Sequence, residues 1–248
     1  MTEAVLAAGR RFLPRGYGDF GRQLAIWFGF LAAYQLARGA ADRDPATAFA
    51  NGLRVIHFER HAAGLYELTF QRLLDSSQAL ERLASWTYWL SEFAGVGLSL
   101  LWVYVRRHDA FPRFRNTILL ANVLGLVGYV LLPTAPPRMF PGSGFVDTLG
   151  QLGGLNHGSG LVELAANPYA AMPSLHAADA LIVGVVLVTV SQRWWAKALW
   201  ALWPAWVWFC VMATGNHFWL DVVAGIGVAL AALAIVYGPA RRRRRAAA

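Results

Sequence analysis

From Val222 to Tyr237 the chain reads VVAGIGVALAALAIVY, without one charged side chain. No other kind of feature restricts the fold as strongly. In water such a block needs a core on every side, whereas in a bilayer its own helical hydrogen bonds suffice. Blocks of this kind recur at a length of about 20 residues, which crosses roughly 30 Å of hydrocarbon. Six can be drawn, at about 24–40, 84–105, 116–133, 173–191, 195–214 and 217–237. With 57% hydrophobic and 15% charged residues among 248, the chain has too little polar surface for a soluble domain of its size. The expected architecture is all-α: a polytopic membrane protein of six transmembrane helices, forming a single membrane-embedded domain over 1–248. Eleven Trp, many near block ends, suit interfacial belts. The single Cys210 lies inside an apolar block and reads as a small buried side chain, with no disulfide framework available.

A net charge of +8 can signal nucleic acid, but its distribution argues otherwise. Four Arg precede or begin the first block, four more lie in RRHDAFPRFR (106–115), Arg193 and Lys197 in the 192–197 connection, and Arg241–Arg245 in the tail. These regions hold 15 of the 22 basic residues and three acids, and six spans put them all on one side. The positive-inside rule makes that side the cytoplasm, in a plasma membrane of bacterial type, with both termini cytoplasmic. The tail is also suited to anionic lipid heads. Residues 1–23 carry Arg10, Arg11, Arg15 and Arg22 but no apolar core, so no cleavable signal is expected. The expected partners are membrane lipids and not nucleic acid.

The long connections, about 41–83 and 134–172, then fall outside. ATAFANGLRVIHFERHAAGLYELTFQRLL (46–74) mixes Arg54, Glu59, Arg60, Glu67 and Arg72 with apolar residues. It reads as one or two amphipathic helices at the outer interface, broken near Gly64. His57 and His61 have a metal-compatible spacing there, although the polar face of an interfacial helix explains them as well. The Gly- and Pro-rich 134–172 reads as an ordered loop over the outer ends of the spans.

Three motifs converge at this outer face. In TGNHFWLDVVAG (214–225), His217 and Asp221 are four apart and would share a helix face, where the carboxylate can accept an imidazole N–H and activate the other nitrogen. A capped helix start or a metal site is the alternative reading. In AMPSLHAADA (171–180), Pro173 suits a first helical turn, the helix-start amides face an anion, Ser174 caps or donates to it, and His176 can act as general acid. In PTAPPRMFPG (133–142), Arg138 offers forked donors to a phosphate, or snorkels at the interface. Asp179 and Glu92 are acids inside spans and so default to function. Asp179, one turn below His176, would orient that ring or line the headgroup cavity; Glu92 ranks lower. Asn216, Arg138, Ser174 and Asp179 form the candidate substrate-binding set.

A Pro-Ser-x-His entry to one span, followed about 40 residues later by His-x-x-x-Asp entering another, resembles the type 2 phosphatidic acid phosphatase superfamily. AAMPSLHAA and TGNHFWLD look most like the bacterial relatives of inositol phosphorylceramide synthase, and are similar to the sphingomyelin synthases. Several positions depart from the phosphatase pattern K-x6-R-P, P-S-G-H and S-R-x5-H-x3-D. Leu131 stands at its lysine, Met139 at its proline, Leu175 at its glycine, and Cys210 and Val211 at its serine and arginine. Two phosphate-binding cations are absent, and Arg113 and Arg115 fall on the cytoplasmic side. The resemblance implies that His217 attacks a lipid phosphate ester or diester to form a phosphohistidine. It further implies that Asp221 orients His217, that His176 protonates the leaving oxygen, and that no metal or other cofactor is needed. Water as second acceptor would make a phosphatase, an alcohol a phosphotransferase. A lipid-headgroup binding or transport protein without turnover is the competing class, and a metal-dependent membrane hydrolase the third.

Overall fold

The computed structural model describes residues 13–40, 44–151 and 167–246. Arg10, Arg11, the 152–166 part of the long loop and the side chains of Arg241–Arg245 lie outside that description. Helix α1 spans Gly16–Ala40, α2 Pro45–Ala62 and α3 Tyr66–Asp75. Helix α4, Gln78–Leu90, runs through a π-helical turn at Ser91–Gly95 into α5, Val96–Arg106. Helix α6 is Phe111–Leu131, α7 Leu175–Val190, α8 Trp194–Ala213 and α9 Trp219–Ala246. Among the described residues there is no β-strand, only an isolated parallel bridge between Thr134 and Ala170.

Every expected span falls on a helix. Four of these, Gln78–Arg106, Phe111–Leu131, Trp194–Ala213 and Trp219–Gly238, are long and apolar enough to cross a membrane. Leu175–Val190 is apolar but shorter, and it is the most enclosed helix, buried at Ala177, Ala178, Asp179, Ile182, Val183 and Val186 alike. A helix that is apolar all round belongs inside the bundle, and α6, α8 and α9 pack on it. The outer helices carry bare apolar side chains instead, including Phe28, Leu36, Leu98, Leu131, Leu202 and Leu230. So much exposed apolar surface suits acyl chains and not water. The chain is an integral membrane protein.

The amphipathic segment forms two helices, α2 and α3, separated at Gly64, whose φ of 100° only glycine adopts without strain. Asp44 caps α2, accepting from Ala46 N. Glu59 and Glu67 are fully buried, because both reach across to the start of α9. His57 and His61 remain exposed, their rings tilted against each other with centroids 4.3 Å apart.

The same two helices fasten the loop after α6. Asn51 donates to the Pro133 carbonyl at 2.8 Å, Ala135 N donates to Ala48 O at 3.1 Å, and Gln71 donates to Val146 O at 2.8 Å. Ala48, Val55, Ile56, Ala135, Phe140, Phe145 and Phe218 close over these bonds as one apolar cluster. Burial of these backbone groups is tolerated because each has a partner.

Candidate active site

The starts of α7 and α9 meet at one end of the bundle. Ser174 N donates to Asp221 O at 3.0 Å, and a Cβ on Gly225 would overlap the Ser174 carbonyl. Glycine at 225 therefore permits the contact that joins the second motif to the third. Above it lies a cavity of about 540 Å³. His176, His217, Arg138, Asn216, Tyr88, Glu92, Asp147 and Arg38 all line it. The first, second and third motifs thus reach one cavity, as their shared depth suggested.

His217 precedes α9 and is not on it, which corrects the expected i, i+4 helix face. Phe218 is the residue before the first helical turn, and Asp221 reaches back to accept its N–H at 2.9 Å. This is the reciprocal half of a capping box. The same carboxylate oxygen stands 3.4 Å from His217 Nδ1, while the Ala171 carbonyl stands closer, at 2.9 Å. A carbonyl only accepts, so Nδ1 carries the proton and Nε2 keeps its lone pair. Burial holds the His217 pKa down to about 3, against the opposing Ala171 bond and with help from the Arg138 and Arg38 charges. The ring is neutral at ordinary pH.

His176 lies 5.8 Å from His217 between ring centroids. Tyr88 stacks on it at 4.4 Å and 16°. Its carboxylate neighbour is Glu92, with Oε2 3.4 Å from Nε2. The widened π turn at Ser91–Gly95 carries Glu92, and turns of this kind often mark functional sites. Asp179 does not take that place. It is buried and accepts from Asn122 Nδ2 at 3.2 and 3.1 Å, and it is not among the residues facing the cavity.

Ser174 is likewise corrected. It is fully buried as the N-cap of α7, with its hydroxyl accepting from Ala177 N at 3.3 Å, and it does not line the cavity. Pro173 precedes that cap and does not occupy the first turn. Arg138 does face the cavity. Its backbone N–H donates to Gly215 O at 2.8 Å, and its guanidinium donates to Asn216 Oδ1 at 2.7 Å. Gly215 holds φ 73°, which turns its carbonyl toward Arg138. Asn216 also donates to Thr214 Oγ1 at 2.9 Å, so it brackets the arginine from the third motif. Leu131 is exposed on the outer wall of α6, and Val211 is buried in the bundle. Neither position supplies a cation to the cavity, but Arg38, at the end of α1, does. Arg38 and the importance of Glu92 were missed by sequence reasoning. The one available signal was their charge inside an apolar block.

A family model described as the PAP2 superfamily matches residues 53–235. The chain belongs to the PAP2 superfamily. A relative from Bacteroides thetaiotaomicron, named phosphoinositol dihydroceramide synthase, is 30% identical over 161 residues, covering 56% of this chain and 52% of the relative. The chain therefore spans about half the length of that curated relative. No solved structure matches. This family membership and this relative support the synthase-like branch of the superfamily, which is a family of lipid phosphatases and phosphotransferases.

Proposed function

We propose that this PAP2 protein transfers a phosphoryl-containing group from a lipid phosphate ester or diester through a phosphohistidine at His217. One observation carries the reading: two histidines, each with its own acceptor, face one cavity beside Arg138 at 5.8 Å between ring centroids. The Nε2 lone pair of His217 attacks phosphorus. The bond from phosphorus to the leaving oxygen breaks, and His176 gives that oxygen its proton. The acceptor hydroxyl then loses its proton to His176 and attacks phosphorus, and the P–N bond returns its electrons to Nε2. The proton on Nδ1 stays with Ala171 and Asp221 throughout. Glu92 holds the His176 ring and stabilises its charged form, and Tyr88 fixes its plane. Arg138 receives charge as it builds on the phosphoryl oxygens.

The relative is named for synthesis of phosphoinositol dihydroceramide, which favours an alcohol over water as acceptor. All six expected spans cross the membrane in this reading, with the basic connections cytoplasmic and the cavity at the outer face. A phosphate there stays at headgroup level while the lipid tails remain in the bilayer. No step calls on a metal. The test is turnover of a panel of labelled lipid phosphates by detergent-purified protein, with EDTA and with vanadate. Activity that survives EDTA and stops with vanadate is expected. Loss in EDTA would support a metal-dependent hydrolase, and binding without turnover across the panel would support a headgroup-binding protein.

A further inference from the structure

The superfamily pattern places a lysine and a second arginine at the phosphate, and this chain has Leu131 and Val211 there. One positive charge is little for a transferring phosphoryl group, whose charge is spread over its non-bridging oxygens. The cavity nevertheless contains a second guanidinium. Arg38 sits in the last turn of α1, an element separate from the loop that presents Arg138, and lines the same cavity as His176 and His217. It lies before residue 53, where the family match begins, so no motif includes it. Among the described residues no other Lys or Arg lines the cavity.

The state of Arg38 points to a ligand. Its Nε is buried without a hydrogen-bond partner, and its guanidinium carbon stands 5.7 Å from the Tyr129 ring centroid. Among the described residues neither ion pair includes it, and Glu92, the nearby acid of the cavity, is engaged with His176. A buried donor without an acceptor is costly, and a charged one more so. Arg138 differs, being held by Asn216. A guanidinium kept at a cavity wall with a free donor is complementary to a phosphate oxygen, which accepts forked bonds.

We propose that Arg38 is a phosphate-binding residue that replaces the missing motif cations, so that the substrate phosphate is held between Arg38 and Arg138. The assignment rests on the reading of the cavity as a phosphoryl-transfer site. Both arginines touch the non-bridging oxygens, from walls built by separate elements. The site thus selects an anionic phosphate ester over a neutral headgroup.

The experiment measures orthovanadate binding to the full chain in detergent by calorimetry, with inorganic phosphate as a second probe. Arg38→Gln is expected to weaken binding by about tenfold to a hundredfold, the loss of one or two charge-assisted bonds. Arg138→Gln should weaken it similarly, Arg38→Lys should weaken it less than Arg38→Gln, and Arg60→Gln, on the exposed face of α2, should leave it unchanged. A second measurement needs no variant: phenylglyoxal modification of Arg38 in the native protein, read by mass spectrometry, should slow when vanadate is present. Binding by Arg38→Gln within about twofold of the native value, or modification of Arg38 indifferent to vanadate, overturns the role of Arg38 while leaving the phosphoryl-transfer reading intact. Native protein that binds neither vanadate nor phosphate overturns both.

Discussion

At the scale of single residues, His217 has two acceptors for one proton. The Ala171 carbonyl at 2.9 Å is nearer than Asp221 at 3.4 Å, so the tautomer survives loss of the carboxylate charge. Asp221→Asn is therefore expected to lower kcat by roughly 10²-fold, short of the ~10⁴-fold seen where one carboxylate alone orients a catalytic histidine. Steady-state kinetics on any turned-over lipid phosphate checks this, and an unchanged kcat would remove Asp221 from the mechanism. The depressed His217 pKa makes a second prediction. A histidine of ordinary pKa would lose about tenfold of its neutral form on going from neutral pH to about pH 5.5. With a pKa near 3, His217 stays neutral over that range, so phospho-enzyme formation in a rapid-quench assay should fall by much less. The histidines, Asp221 and Arg138 were legible because their types and spacing carry the chemistry. Arg38 was not, and Glu92 was legible only as an acid inside a span, since their value depends on neighbours such as His176, 84 residues from Glu92. Asp179 misled for the same reason: its partner, Asn122, stands on another helix.

At the scale of elements, the start of α9 is the most heavily capped point described. Glu67 accepts from Trp219 N, Glu59 from Leu220 N at 2.9 Å, and Asp221 from Phe218 N at 2.9 Å. Three acids at a helix N-terminus suit its dipole, yet all are fully buried. Burial, reinforced by the proximity of Glu67, raises the Glu59 pKa to about 9, and burial also raises Glu67 to about 7. Each folded value lies above the ordinary 4.5, so the folded state holds protons that the unfolded chain has released. Their contribution is most favourable below about pH 4.5 and is lost as pH rises through 7 and toward 9. Thermal melts in detergent should thus show stability falling between about pH 5 and pH 9, and Glu59→Gln, which keeps the acceptor and cannot ionise, should flatten that fall. An unaltered slope would show that Glu59 is not the titrating group. The break at Gly64 was legible from the sequence, because glycine punctuates an amphipathic pattern. The inward turn of Glu59 and Glu67 was not, because periodicity alone does not reveal a partner helix 150 residues away.

At the scale of the whole molecule, each of the six apolar blocks falls on a helix, four of them long and apolar enough to cross a membrane, and residues of the three motifs line one cavity. Hydrophobic length carries that information directly, while helix ends do not. Helix α7 begins at Leu175 and α9 at Trp219, set by the Ser174 cap and the Asp221 carboxylate and not by hydropathy. The proposed orientation is testable because the chain has one cysteine, the buried Cys210. On a Cys210→Ala background, Arg60→Cys should react with a membrane-impermeant maleimide in intact cells, and Arg193→Cys only after the membrane is opened. The reverse pattern would place the cavity at the cytoplasmic face.

The phosphorus–nitrogen bond at His217 is the centre of the proposed mechanism. Detergent-purified protein is incubated with a phosphorus-32-labelled lipid phosphate that it turns over, quenched, and digested for mapping of the label. Label that is stable in base, labile in acid and confined to the peptide containing His217, absent in His217→Ala and retained in His176→Ala with a good leaving group, is the predicted result. Normal turnover by His217→Ala, or label on another residue, would contradict it.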